Sequence, residues 1–249
     1  MIKINGFSDE KINKHFIVGE SNNDAYKLVS DALKSPSCIH NPLVVCGSTG
    51  VGKTHLVRSV IQAETNAKAA YISAEELIND LLSILKHNKR DKDNFIDLKP
   101  FFSDKFNAYN VIVIDNIHIL LWKDATQGCV FEIIDNLICE DKQIIMISDT
   151  PLDEYSVLQK HMCINFEKLM VCKVDRPDTT LKQKIVAKYG EQYGVKLDAA
   201  ALTWLTDNID STPYIIGTIK KLAMAADNKE KVSLLTIKKV LKEIRHENR

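Results

Sequence analysis

Gly47-Ser48-Thr49-Gly50-Val51-Gly52-Lys53-Thr54 fills the spacing G-x-x-x-x-G-K-[ST]. An apolar run, Leu43-Val44-Val45-Cys46, precedes it, and a helix-like run containing Leu56, Val57, Val60 and Ile61 follows, starting at His55. Strand, glycine-rich loop and helix in that order read as a phosphate-binding loop. Its glycines let the backbone turn tightly and aim N–H groups at phosphate oxygens, at the positive end of the following helix. Lys53 would reach the β- and γ-phosphates of a nucleotide, and Thr54 would offer its hydroxyl to magnesium. The bland alternative is a glycine-rich turn that binds nothing; strand, loop, Lys-Thr pair and helix together weigh against it.

Val111-Ile112-Val113-Ile114-Asp115 is a β-branched run ending in a carboxylate, as a buried parallel strand ends beside a phosphate loop. Asp115 is therefore the expected magnesium-side acid. Asn116 follows, where nucleotide hydrolases of this design place a second carboxylate, and an amide does not accept a proton at neutral pH. Residues 143–149 form another buried strand with a polar end, Ser148-Asp149. That end has two readings of equal weight: a side chain that senses the γ-phosphate, or a cap for the turn at Thr150-Pro151.

Residues 69–72 read as a strand, and Ser73-Ala74-Glu75-Glu76 opens a helix to about Lys86 with a capping-box pattern. A charged loop, 87–97, and a short helix marked by Phe101, Phe102 and Phe106 follow. A helix spans 127–139, and 170–174 is a last strand before Asp175-Arg176-Pro177. Near the start, Phe16-Ile17-Val18-Gly19-Glu20-Ser21-Asn22 leads into a helix on which Ala25, Leu28, Val29 and Leu33 recur. Composition alone makes this segment a core edge rather than a wall of an adenine pocket. From Asp178 the pattern is helical only, with faces carrying Leu181, Ile185, Tyr189 and Tyr193; Leu202 and Leu205; Ile215, Ile216, Ile219, Leu222, Ala223 and Ala226; and Ile237, Val240, Leu241 and Ile244. Thr212-Pro213 reads as an N-cap followed by proline. The expected fold is α/β: a parallel sheet with flanking helices over residues 1–176, then a small all-α lid over 177–249.

Lys plus Arg and Asp plus Glu stand at 33 each in 249 residues, so no global positive field holds nucleic acid. The basic groups Lys86, Lys89, Arg90 and Lys92, and Lys238, Lys239, Lys242, Arg245 and Arg249, read as solvated faces. Six cysteines, at 38, 46, 129, 139, 163 and 172, lack metal-ligand spacing and read as reduced packing residues of a cytoplasmic protein. The apolar runs are short and the first residues polar, so neither a signal peptide nor a membrane span is expected.

Together these features resemble the AAA+ ATPases, and within them the ATPase domain of the bacterial initiator DnaA and its relative Hda. The resemblance rests on residues 16–26, Asn41-Pro42-Leu43, 47–56, Tyr71-Ile72-Ser73-Ala74-Glu75-Glu76 with Asn79-Asp80, Ile114-Asp115-Asn116-Ile117, Lys123 with Thr126-Gln127, and Ser148-Asp149, with Pro177-Asp178 continuing the order. It implies ATP or ADP with magnesium as cofactors. The implied nucleotide site comprises Phe16, Ile17, Val18, Asn22, Gly47, Thr49, Gly50, Val51, Gly52, Lys53, Thr54 and His55, with Thr54 and Asp115 on the metal and Asp149 as first sensor. It implies an AAA+ fold and replication proteins as partners: DnaA itself or the helicase-loading machinery.

Set against the family pattern, the second Walker B acid falls on Asn116, the inter-subunit arginine finger on Asn165 and the lid arginine near Pro213. An arginine finger alone contributes about 10³ to 10⁵ in rate, so hydrolysis is expected to be very slow. Lys160 and Lys168 are poor substitutes, lacking the planar fork of arginine. The helix pair over 74–106 corresponds to the family's single-strand-DNA-contacting insertion, but Asp104-Lys105-Phe106-Asn107 stands where basic residues are expected, so DNA contact is expected to be weak. The sequence ends near where DnaA begins its helix-turn-helix domain, and a glutamine-led clamp motif like that of Hda is not evident in residues 1–7. The expectation is a nucleotide-binding protein of replication initiation or its regulation, acting through protein contacts. The rival is an active oligomeric ATPase of the helicase-loader kind, with Arg58 or Arg176 supplied in trans; a single-strand DNA binder ranks last.

Overall fold

The computed structural model describes residues 16–34, 40–63, 68–88, 97–122, 124–150, 169–225 and 232–247. Residues 1–15, Cys38, the basic group Lys89, Arg90 and Lys92, and Lys123, Lys160, Cys163, Asn165, Lys168, Ala226 and Arg249 lie outside the described residues, as do the side chains of Lys242, Ile244 and Arg245. The chain forms two units. The first takes Phe16, Asp24–Gly47 and Lys53–Val174; the second takes Ile17–Asn23, Ser48–Gly52 and the chain from Asp175.

In the first unit α1 (Asn23–Lys34) leads to β1 (Leu43–Cys46), α2 (Lys53–Ala63), β2 (Ala69–Ser73), α3 (Ala74–Asn88), α4 (Lys99–Phe106), β3 (Val111–Asp115), α5 (Asp124–Cys139), β4 (Gln143–Ser148) and β5 (Met170–Lys173). The five strands make one parallel sheet in the order β2-β3-β4-β1-β5. Helices on the sheet faces remove both sides of its inner strands from water, so β1, β3 and β4 are buried at every residue and read in sequence as unbroken apolar runs. The edge strand β5 alternates more and leaves Val171 exposed. Beyond β1 the chain crosses to the far side of the sheet, which makes the carboxyl end of β1 the switch point where ligands of such sheets sit. In register, Cys46 stands opposite Ser148 and Ser73 opposite Asp115, so the polar strand ends share one edge.

Local chemistry sets the element boundaries. Ser73 Oγ accepts the Glu76 N–H at 3.1 Å while Glu76 Oε2 accepts the Ser73 N–H at 3.0 Å, the reciprocal capping box that opens α3. Helix α5 starts at Asp124 rather than at 127; the Gln127 Nε2 donates to the Leu120 carbonyl at 3.0 Å, which ties its first turn to the preceding 3-10 turn. Asn41 fastens the approach to β1, its Oδ1 accepting the Ile144 N–H at 2.9 Å and its Nδ2 donating to the Lys142 carbonyl at 2.7 Å. Of the three phenylalanines of α4, Phe102 and Phe106 are buried with Leu77, Ile78 and Leu81 of α3, whereas Phe101 faces solvent. Among the described cysteines all are free thiols: Cys46 and Cys172 are buried, but Cys139 is exposed rather than packed. Burial pushes the Cys172 thiol up to about 12, so it stays protonated at neutral pH.

The second unit holds α6 (Thr179–Tyr193), α7 (Ala199–Asn208), α8 (Thr212–Ala225) and α9 (Leu234–Glu247). Leu181, Ile185, Tyr189, Leu205, Ile215, Ile219, Leu222, Ile237 and Val240 form its core, with Ile17, Tyr193, Leu202, Ile216, Ala223 and Leu241 packed against it. Helix α8 begins at Thr212 itself, so Pro213 occupies the second helical position and Ser211 precedes the helix, its carbonyl accepting the Ile215 N–H at 3.0 Å. Proline fits there because first-turn N–H groups have no partner within the helix. Asp178 caps α6, accepting the Leu181 N–H at 2.7 Å, and this bond holds its carboxyl below the usual carboxylate range. Its contribution is complete above the unfolded value of about 3.9 and is lost as pH falls through the lower folded value. Asp178→Ala should therefore lower stability by about 1 kcal/mol at pH 7 and by progressively less in acid below pH 4, measured by urea denaturation across pH.

Candidate functional site

The backbone of the phosphate loop departs from what most residues adopt. Gly50 has φ +83° and Gly52 φ +106°, conformations that side chains strain against, and a Cβ on Gly50 would lie 2.9 Å from Ser211 Oγ within the second unit. Ser48 and Thr49 are exposed, Val51 is buried, and the Val51 N–H donates to the Ser48 carbonyl at 3.4 Å. Lys53 then opens α2 as a buried cation, 5% exposed. Its Nζ donates to the Gly47 carbonyl at 2.7 Å and pairs with Asp149 Oδ1 at 2.5 Å.

Thr54, one residue on, donates from Oγ1 to Asp115 Oδ2 at 2.9 Å. Parallel pairing accounts for the encounter, since β1 and β3 both end at the switch-point edge with β4 between them. The other Asp115 oxygen accepts the Asn116 N–H at 2.8 Å. Asn116 is exposed at φ +59°, a left-handed conformation that asparagine tolerates better than most side chains. At the end of β4 the two alternatives for Ser148 and Asp149 separate by residue. Ser148 Oγ accepts the Thr150 N–H at 3.0 Å and donates to the Thr150 carbonyl at 2.9 Å, making the turn. Asp149 reaches the loop lysine, and its N–H donates to His118 Nδ1 at 3.3 Å.

The remaining expected residues divide between the units. In the first, Phe16 stacks on Tyr26 with centroids 6.2 Å apart and meets His55 edge-on at 5.4 Å. In the second, Ile17 packs on the helical core and Val18 is 37% exposed. Asn22 is buried and shapes this segment: its Nδ2 donates to the Ile17 carbonyl at 3.1 Å and its Oδ1 accepts the Gly19 N–H at 2.8 Å.

Three residues near the site were not identified in sequence as its members. The Tyr71 phenol donates to Asp115 Oδ2, and burial, reinforced by that bond, raises its pKa. Arg58, considered above as an arginine supplied in trans, instead lies 4.2 Å over the Tyr71 ring of its own chain. His118 is the third. Arg176, the other trans candidate, is exposed and stands 3.7 Å from Asp210, which also holds the buried Lys182 at 2.7 Å.

An ammonium, a hydroxyl and a carboxylate thus gather beyond the carboxyl end of β1. This donor set fits a magnesium-bound nucleoside polyphosphate: Lys53 for phosphate oxygens, Thr54 and Asp115 for the cation. Among the described residues no helix is long and apolar enough to cross a membrane.

Residues 9–173 match the family model for the bacterial DnaA ATPase domain. The chromosomal replication initiator protein DnaA of Wolinella succinogenes is 30% identical over 232 residues, which are 92% of this chain and 51% of that protein. DnaA of Lachnoclostridium phytofermentans is 28% identical over 236 residues, 92% and 50% of the two chains. The chain therefore spans about half the length of the curated relatives it matches. Among solved structures, domain III of the Thermotoga maritima replication initiation protein DnaA superposes with a TM-score of 0.75 at 26% identity, covering 93% of this chain and 95% of that one. AMPPCP-bound DnaA from Aquifex aeolicus shares the fold, with a TM-score of 0.71 at 24% identity over 94% of this chain and 68% of that one. With the parallel sheet, the phosphate loop and the family match together, the chain belongs to the bacterial DnaA ATPase-domain family of AAA+ proteins.

Proposed function

We propose that this chain binds ATP or ADP with magnesium, hydrolyses ATP very slowly or not at all, and acts through contacts with replication proteins in the initiation of DNA replication or its regulation. The observation that carries the reading is the pairing of a complete binding set with an incomplete catalytic one. Lys53, Thr54 and Asp115 stand together, while the position expected to hold a water-activating acid is the exposed amide of Asn116. Similar DnaA proteins have been solved with AMPPCP bound, one of them also with single-stranded DNA.

Phosphate oxygens would take the place that Asp149 holds on Lys53, and the freed carboxylate would lie next to the terminal phosphate as a sensor. Magnesium, when bound, supplies charge neutralisation between phosphate groups. Thr54 would turn its hydroxyl from Asp115 toward the cation, and Asp115 would hold the cation's water. None of these groups removes a proton from an attacking water, and Asn116 lacks the basicity to do so. Phe16, stacked on Tyr26 and edge-on to His55, would serve the base.

DNA contact through α3 and α4 has little support here. Lys105, a basic residue late in that insertion, is paired with Asp80 and lies 5.4 Å over the Phe106 ring. The rival reading, an active oligomeric ATPase, draws on Arg176, whose side chain is 67% exposed and thus open to a neighbouring subunit.

Calorimetry with ATP and ADP in magnesium, combined with single-turnover hydrolysis on the same sample, tests the proposal. Tight binding with turnover at background is the expected outcome, and turnover that rises with protein concentration would replace it with the oligomeric ATPase. Asn116→Glu sharpens the test, because it restores the acid but places glutamate at φ +59°, at about 1–2 kcal/mol of strain. The variant should melt at lower temperature and still hydrolyse at background, since the arginine positions at Asn165 and Pro213 remain unfilled. Turnover in this variant would show that the acid alone is limiting.

A further inference from the structure

Tyr71 belongs to no part of the phosphate loop, yet it reaches the centre of the candidate metal site. Asp115 is 5% exposed, and among the described residues three donors address its carboxylate: the Tyr71 hydroxyl and Thr54 Oγ1 on Oδ2, and the Asn116 N–H on Oδ1. Sheet register brings the phenol there. Tyr71 pairs with Val113 and Ser73 with Asp115, so Tyr71 lies two residues behind the partner of Asp115 on the same face, within the reach of a phenol pointing along the strand. The Arg58 guanidinium, 4.2 Å from the ring centre, holds the ring from the α2 side.

The three donors are not equivalent toward a cation. Thr54 is itself expected to be a ligand, so its bond to Asp115 is exchangeable. The Asn116 N–H is backbone and does not depend on side-chain identity. Tyr71 is then the one side chain among them that can remain on Oδ2 throughout. We propose that Tyr71 is the positioning residue of the magnesium site: its hydroxyl fixes the rotation of the Asp115 carboxylate, and Arg58, seated on the ring, keeps the hydroxyl in place. The inference rests on the magnesium-nucleotide reading above. Partners that orient a metal-binding carboxylate or imidazole contribute about 10- to 100-fold to metal affinity.

Tyr71→Phe removes the hydroxyl and keeps the ring under Arg58. Nucleotide affinity would be measured by calorimetry in a magnesium titration and again in excess chelator, for the wild type, Tyr71→Phe, Asp115→Asn and the double variant. The expected result is an apparent magnesium affinity about 10-fold weaker in Tyr71→Phe, with chelator-condition nucleotide affinity unchanged. In the Asp115→Asn background the same substitution should have no further effect on magnesium dependence, a coupling that a residue merely filling space would not show. Equal magnesium dependence in the wild type and Tyr71→Phe, or an equal loss in both backgrounds, would overturn the role of Tyr71 and leave the nucleotide reading standing. A wild type whose nucleotide affinity ignores magnesium would overturn both.

Discussion

Replacing Lys53 with alanine is expected to weaken ATP and ADP binding by on the order of 100-fold while leaving the fold intact. Hydrogen bonds to charged groups contribute about 1.5–3 kcal/mol each, and a buried ammonium with phosphate partners lies at the upper end of that range. The size of the loss follows from the position of Lys53, 5% exposed at the first residue of α2, where bulk water cannot stand in for it. Folding stability should change far less, by about 1 kcal/mol, because the Asp149 side chain is 32% exposed and water can solvate it in place of the lysine. Calorimetry for affinity and urea denaturation for stability separate the two effects. Equal affinities for wild type and variant would remove the phosphate loop from the proposed function.

Phe106→Ala carries the largest expected loss of stability, about 3–5 kcal/mol. Phe106 is fully buried at the end of α4, in one cluster with Phe102, with Leu77 and Leu81 of α3, and with Ile112 and Ile114 of β3. Truncation removes the aromatic surface and leaves a cavity that two helices and a strand are poorly able to close. Urea denaturation followed by circular dichroism measures the loss. Because Ile112 and Ile114 belong to the strand that presents Asp115, the destabilised variant should also bind magnesium and nucleotide less well at temperatures near its transition. Phe101, on the same helix but facing solvent, is the matched control: Phe101→Ala should change stability by no more than about 0.5 kcal/mol.

The contrast between Phe101 and Phe106 shows where sequence reading stops. Three phenylalanines marked a short helix against the sheet, and the helix is there, but spacing alone did not say which ring turns inward. The same limit applies at the site. By pattern alone Ser148 and Asp149 read as equal candidates for turn cap and sensor, because both are short polar side chains at a strand end, and it is the family resemblance that points to Asp149. Only the placement of β4 beside β1, with Cys46 opposite Ser148, brings Asp149 to the loop lysine. In sequence Arg58 reads as available to a neighbouring subunit, whereas the packing of α2 against β2 places it over the Tyr71 ring.

Short stretches of sequence are enough to specify the phosphate loop, the buried strands with Asp115 at an end, the capping box at Ser73 and the helical character from Asp178 onward. Each is written in residues close together in the chain, through glycine conformation, hydrophobic period or a cap three residues away. Packing between distant elements is what makes Tyr71 and Thr54 share one oxygen of Asp115, sets Asn116 in a left-handed backbone, and brings Asp149 rather than Ser148 to Lys53. The contacts among them join residues 44 to 96 positions apart, across strands whose order in the sheet differs from their order in the chain. Strand order is set by the packing of the whole sheet against its helices, which no local pattern encodes.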